Sequence, residues 1–362
     1  MPTNTTRLSH PLWALGLSLA TLTVTASPAR AGLAWVSSIE GRVELQRDGW
    51  SRSQRALTGT ALYGPDILRP ARGSRVVVIC PNGRTRWTVP AGTISAVNNG
   101  CPGTPSRLRP QFGIGDLQGG SNSSIPYVIT PRTDLVLSPR PLLRWNPVEG
   151  AKRYRVMLAS RGETLWQIDT DRSEIPYPAS QLELMPRQLY TLTVTADTGA
   201  SSADEALALR FNVLAETQAE AAQAEIDAIN AQDISDELKT LMLVQEVYPN
   251  YQLTAAAVND LERLIASGVE TAQVYRLLGD VYLKSGLRLL AEASYLEAVT
   301  IAMRSHTLEE QVLAQLGLGT LYSQTRERDS AMRQLRCAQA GAATLGDERM
   351  IESIDEALAG LM

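Results

Sequence analysis

Few residues of this 362-residue chain have the types and spacing for chemistry. Beyond residue 31 there is one histidine, His306, at an expected helix boundary. No serine elbow, metal-spaced cluster or phosphate loop accompanies it. A lone imidazole of this kind is read as a cap or surface group rather than a general base. Among the carboxylates, Glu309-Glu310 and Asp347-Glu348 fall at expected helix starts, where the macrodipole favours acids in any case. Asp116 and Asp134 lie in loops with no matched partner. The sequence therefore assigns no catalytic residue, no metal and no cofactor, and the expected class is non-enzymatic.

A binding face is the sharper candidate, and it depends on two copies of one helical pattern between Ala272 and Leu345. In the first copy Tyr275, Leu278, Gly279 and Tyr282 share a helix, and Ala291, Tyr295 and Ala298 share the next. In the second, Leu318, Gly319 and Tyr322 are followed by Ala331, Leu335 and Ala338. Glycines let two helices approach closely, and small alanines receive the aromatic or leucine knobs of the neighbour. The pattern resembles the tetratricopeptide repeat. Gly279 to Gly319 is 40 residues, against 34 for that repeat, so the second helix of the first copy is expected to run on from Thr300 to Arg304. A step of 34 back from Ala291, Tyr295 and Ala298 lands on Ala257, Leu261 and Leu264. This predicts a degenerate first repeat from Ile234 to Ser267, with Gln245 in the glycine position and Pro249 ending its first helix early. The resemblance implies a concave groove for an extended peptide, lined by Arg276, Asp280 and Lys284, continued by Thr320 and Gln324, and begun by Lys239 and Glu246. The same charges also fit a solvated helix face whose members pair with one another.

Arg7 precedes an apolar run from Leu12 to Ala26, and Ala29-Arg30-Ala31 is a small-x-small site. This predicts a secretory signal peptide over residues 1–31, cleaved before Gly32. A run of about 15 residues containing threonines is short for a membrane span. No later segment is apolar enough to cross a bilayer, so the mature chain is expected to be secreted and periplasmic, with no transmembrane segment. In an oxidising compartment Cys80 and Cys101 are expected to form a disulfide closing a loop of about 20 residues. No nearby histidine completes a metal shell with them. Cys337 is read as a small buried hydrophobe.

Charge is uneven along the chain. Residues 32–135 carry 12 arginines against 6 acids, while residues 203–362 carry 12 basic against 25 acidic residues, giving +6 and −13. A basic head and an acidic tail suit either docking against each other or holding different partners. The arginines lack interleaved aromatic platforms, which argues against a nucleic-acid partner.

Over residues 32–110 the signals are β. Val43 and Leu45 alternate with polar neighbours before Asp48-Gly49, and Arg75 to Ile79 meets Thr85 to Val89 across Asn82-Gly83. The order Gly41-Arg42-Val43-Glu44-Leu45, then Asp66-Ile67-Leu68, then a hairpin of β-branched residues resembles the extracytoplasmic domain of FecR-type proteins. Signalling FecR proteins also carry a cytoplasmic segment and a membrane span, which have no counterpart here, so the resemblance implies a fold and not a sigma-factor circuit. Residues 111–126 read as a linker. Over residues 127–214, Leu143, Trp145, Val148, Ala151, Tyr154 and Val156, with later strands at Tyr190 to Val194 and Leu207 to Val213, resemble fibronectin type III or immunoglobulin-like modules. There Trp145 and Trp166 are read as core rather than as sugar-stacking groups. Residues 215–232 form a connecting helix with Ala219, Ala222, Ile226 and Ile229 on one face, and residues 233–362 form the solenoid, closed by a helix from Met350 to Leu361.

The expected architecture is multidomain α+β: an N-terminal β domain, a central β-sandwich and a C-terminal all-α, tetratricopeptide-like solenoid. The expected function is a non-catalytic envelope scaffold or adaptor that binds a protein or peptide partner through the solenoid. The alternative is a ligand-sensing or cell-wall-binding module that holds an anionic polymer on the basic N-terminal domain.

Overall fold

Period-two alternation governs the first part of the chain. In the computed structural model, which describes residues 32–106, 119–205 and 209–361, Val43, Leu45 and Leu68 point into one core while Arg42, Glu44 and Arg69 point out. The expected signal peptide, half of the expected linker and residues 206–208 of the last expected sandwich strand lie outside the described residues. The strands are β1 (Ala34–Glu40), β2 (Val43–Gln46), β3 (Gln54–Arg55), β4 (Ala61–Leu62), β5 (Ile67–Pro70), β6 (Arg75–Ile79), β7 (Arg86–Val89) and β8 (Ser95–Ala96). They form two antiparallel sheets, ordered β4-β1-β6-β7 and β3-β2-β5-β8. The β6–β7 hairpin turns where the Asn82 side chain accepts from the backbone N–H groups of Arg84 and Thr85 at 3.0 and 2.8 Å, and Gly83 takes a φ of 67°. A disulfide joins Cys80, at the end of β6, to Cys101, which follows the short helix α1 (Val97–Gly100).

The second part is also β. Its strands are β9 (Val128–Thr130), β10 (Leu135–Val136), β11 (Leu142–Trp145), β12 (Tyr154–Ser160), β13 (Glu163–Thr170), β14 (Glu174–Pro176), β15 (Tyr190–Ala196) and β16 (Asn212–Val213). Two three-stranded sheets, β14-β11-β9 and β13-β12-β15, send alternate side chains into one core containing Leu143, Trp145, Val156, Trp166, Val194 and Phe211. Trp145 is 1% exposed, with its ring edge-on to Tyr154 at 5.7 Å, as a core residue should be. The last expected strand is short: β16 pairs in parallel with β10, preceded by a single bridge from Phe211 to Tyr190.

Helices fill the remainder: α2 (Glu216–Asn230), α3 (Asp236–Met242), α4 (Tyr248–Tyr251), α5 (Thr254–Ala266), α6 (Ala272–Lys284), α7 (Arg288–Ser305), α8 (Leu308–Gln324), α9 (Arg328–Leu345) and α10 (Glu348–Ala359). Consecutive helices from α5 to α10 pack on one another. The glycines explain the closeness. A Cβ on Gly279 would lie 2.7 Å from the Tyr295 ring, and one on Gly319 would lie 2.7 Å from Leu335, so added volume here must push helices apart. Helix α7 runs through Thr300 and Arg304, as the 40-residue spacing predicts.

Two expectations are corrected. Pro249 does not end its helix early, because a π-helical turn over Leu243–Val247 shifts the hydrogen-bond register and puts the proline in the first turn of α4. There its missing N–H costs no bond. Cys337 is exposed rather than buried. The buried stripe of α9 is Ala331, Leu335, Ala338 and Ala342, and residue 337 sits about 100° off its neighbour in that stripe.

Candidate functional site between the β domain and the helices

The helical stack meets the β domain across a face built from first-helix residues, and the acidic tail does dock the basic head. Arg47 follows Val43 and Leu45 in the inward phase, so its guanidinium enters the interior. It donates to Asp66 Oδ2 at 2.7 Å, to the Ala61 carbonyl at 2.6 Å and to Glu309 of α8 at 3.1 Å. All three side chains are nearly inaccessible to solvent. Burial alone would lower the Arg47 pKa, but the Glu309 and Asp66 carboxylates outweigh it and hold the group above its ordinary value. Gln54 Nε2 also donates to Glu309 at 3.1 Å, and Gln273 of α6 donates to the Gly59 carbonyl at 3.2 Å. The stack thus already holds a stretch of its own chain between β3 and β4.

Further contacts frame this face. The Trp50 indole donates to Asp347 at 2.7 Å, and Arg349 donates to Asp48 at 2.9 Å. The Trp35 indole and the Leu33 N–H donate to Glu246. Burial pushes the Glu246 carboxyl up to about 7, although both hydrogen bonds pull the other way.

A cavity of about 230 Å³ remains beside the held stretch. Arg276, Glu310, Glu237, Glu270 and Gln245 line it together with Gln54, Leu57, Thr58 and Thr60 of the β domain. Arg276 donates to Glu310 and to Asp280, each at 2.6 Å, and Asp280 also accepts from the Tyr295 hydroxyl at 2.8 Å. Burial raises the Asp280 pKa against the pull of Arg276 and Tyr295. Glu237 is raised by burial too, and accepts from the Thr271 side chain. The Gln245 Nε2 has no hydrogen-bond partner among the described residues.

Of the seven residues expected to line a groove, Arg276 lines the cavity and pairs with Asp280, which faces away from it toward solvent. Glu246 is engaged by the β domain. Lys239 turns toward Asp236 at 3.8 Å and lines a second, more open space between α3, α5 and α2. Lys284 is exposed to solvent. Thr320 bonds back to the Leu316 carbonyl at 3.0 Å, and Gln324 leaves its Nε2 unpartnered among the described residues. Sequence reasoning missed Glu309, Gln54 and Gln273. Glu309 stands in phase with the buried Val312 and Leu316, which marks it as an inward acid rather than only a helix-start acid.

Among the described residues, no group of His, Cys, Asp and Glu is arranged to hold a metal, and no helix is long and apolar enough to cross a membrane. No protein-family profile matches the chain, and no curated protein matches it. Among solved structures, the crystal structure of BtubC (BKLC) from P. vanneervenii is similar over 40% of this chain at 18% identity, with a TM-score of 0.34. The chain covers 64% of the length of BtubC. A likeness this distant carries no argument about function.

Proposed function

We propose that this protein is a non-catalytic scaffold or adaptor of the bacterial envelope, exported to the periplasm, whose tetratricopeptide-like helical stack holds a protein segment on the face described above. The observation that carries the reading is that helix side chains on this face already hold the segment from β3 toward β4, one contact by side chain and one by backbone. Glu309 pairs with Gln54, and Gln273 with the Gly59 carbonyl. The cavity next to that stretch offers paired and unpaired polar groups of the kind that fix an extended chain. A photo-crosslinking residue at Gln273, compared with one at Lys152 on the sandwich, tests it in the intact chain in envelope preparations. A partner captured from position 273, absent at position 152 and lost when Ala272→Trp fills the cavity, supports the reading. Identical capture from both positions sinks it.

A second reading has its own observation. Arg55, Glu44 and Arg69 stand side by side on adjacent strands of the outward sheet face, with Arg42 next in line. This leaves an excess of cations that suits an anionic wall polymer. Cosedimentation with wall material should fall when Arg55 and Arg69 become alanine. If it does not fall, the basic face is not the holding surface.

A further inference from the structure

Glu246 presents a buried carboxylate to the first residues of the β domain. Oε2 accepts from the Leu33 N–H at 3.3 Å, and Oε1 accepts from the Trp35 indole. Both donors are neutral, and no ion pair to Glu246 occurs among the described residues. A desolvated carboxylate with neutral partners is costly, and the missing element is a cation. Gly32 stands against the same oxygen. A Cβ built on it would lie 2.7 Å from Glu246 Oε2 and 3.3 Å from the Pro81 carbonyl, so only glycine fits without displacing them. Two substituents of one tetrahedral carbon lie about 2.5 Å apart, which puts the Gly32 nitrogen within about 5 Å of Oε2. In the unprocessed chain that nitrogen is a neutral amide. The sequence pattern Ala29-Arg30-Ala31 predicts cleavage directly before it.

We propose that removal of the signal peptide completes this site: the α-ammonium freed on Gly32 pairs with Glu246 and locks the β domain onto the helical stack. The inference rests on the reading that the chain is exported and processed. In the cleavage a leader-removing protease adds water across the Ala31–Gly32 amide. Ala31 leaves with a new carboxylate, and the Gly32 nitrogen leaves as an amine that takes up a proton. Trp35, Leu33 and Pro81, the other groups against the carboxylate, carry no charge, so the new ammonium is the group that compensates it.

The pairing has a signed pH dependence. A free α-amino group titrates near 8. In the pair its pKa rises, and the locking is present below about 8, fading as pH climbs through the raised value. In the unprocessed chain Glu246 sits near 7, so docking there is strongest below about 4.5 and weakens as pH rises to about 7. Processing removes that weakening.

The test starts with the intact mass of the protein recovered from the envelope, then uses two purified forms, one beginning at Gly32 and one retaining Ala31. A mass showing the leader retained overturns the export reading, and the proposal with it. With the mature mass confirmed, the Gly32 amine should react with an amine-selective acylating reagent at pH 7 at least about 10-fold more slowly in the folded protein than in urea. The Gly32 form should also melt roughly 3 °C or more above the form that retains Ala31, and Glu246→Gln should abolish both effects. Equal acylation in folded and unfolded protein, with equal melting of the two forms, overturns the proposal while export stands. Because the two N-terminal forms share every side chain of the described fold, the comparison survives even if Glu246→Gln fails to fold.

Discussion

The two β modules meet the same helices by different chemistry. The N-terminal domain adds side chain to side chain contacts, Arg47 with Glu309, Trp50 with Asp347 and Arg349 with Asp48, to two backbone bonds at the end of α9, where the Ser51 and Arg52 N–H groups donate to the Gly346 and Leu345 carbonyls, each at 3.2 Å. The sandwich, apart from the Arg144 to Glu262 pair, reaches backbone at helix ends. Arg132 Nε donates to the Ser285 carbonyl just past α6 at 2.8 Å, and Asp134 accepts from the Ala255 N–H in the first turn of α5 at 2.7 Å. These are orphan groups that every helix terminus leaves unpaired, with the charge signs that the helix dipole favours. The sandwich therefore acts as a pair of helix caps and is fixed in place by backbone geometry. Besides its two backbone bonds to the end of α9, the β domain is held by side-chain groups whose partners can be removed together, and beside it a cavity stays open. One seam rests mainly on bonds to helix-end backbone, and the other adds a buried ion-pair cluster that side-chain changes can remove.

Arg132→Met tests that difference most severely. It strands the Ser285 and Val128 carbonyls and leaves Glu205, 3% exposed, without its cation. The expected loss is about 4 kcal/mol by urea unfolding. Adding Glu205→Leu should recover only part, because no side-chain change replaces a lost bond to a carbonyl. Arg47→Met should cost about 3 kcal/mol, since it strands one carbonyl, that of Ala61, rather than two, and Asp66 keeps backbone donors from Asp48 and Tyr63. Here Glu309→Leu added to Arg47→Met should recover more than half. Equal recovery at both seams would remove the distinction between them.

What the sequence made legible follows the same division. Local periodicity shows Val43 and Leu45 inward, the Gly279 and Gly319 close approaches, and Trp145 in its core, because each depends on neighbours within a few residues. Arg47 and Glu309 are each visible as a charge in a buried phase, but their pairing spans 262 residues and no local pattern encodes it. Pro249 misled because a π-helical turn, which depends on tertiary packing, absorbed it. The groove residues were read from helix position alone. Position puts Arg276 at the cavity and pairs it with Asp280, but it says nothing of a β domain that would engage Glu246.

The caps also carry a pH signature. Burial pushes Asp134 up to about 6, against the pull of its backbone donors. Its folded state binds the proton more tightly than the unfolded chain. The stabilising contribution is therefore present below about pH 4 and is lost as pH rises through about 6, on the order of 2 kcal/mol. Asp134→Asn should flatten that part of the stability curve between pH 4 and 6, measured by urea midpoints. An unchanged slope would mean that the carboxylate stays ionised in the folded state and caps α5 as an anion.

The smallest effects belong at the outer edge of the β-domain seam, where two neighbouring contacts differ in burial and in the charge of the donor. Trp50→Phe removes an indole donor from Asp347, both residues being buried, and should cost about 1–2 kcal/mol. Arg349→Ala removes a pair whose side chains are 49% and 34% exposed, and should cost less than about 0.5 kcal/mol. The exposed pair should also vanish in 1 M salt, where screening acts over about 3 Å, while the indole bond should not. A cost above about 1 kcal/mol for Arg349→Ala, persisting in salt, would place that arginine in the framework and extend the rigid seam to the solvent edge. Separability would then be confined to the Arg47 cluster and the cavity beside it.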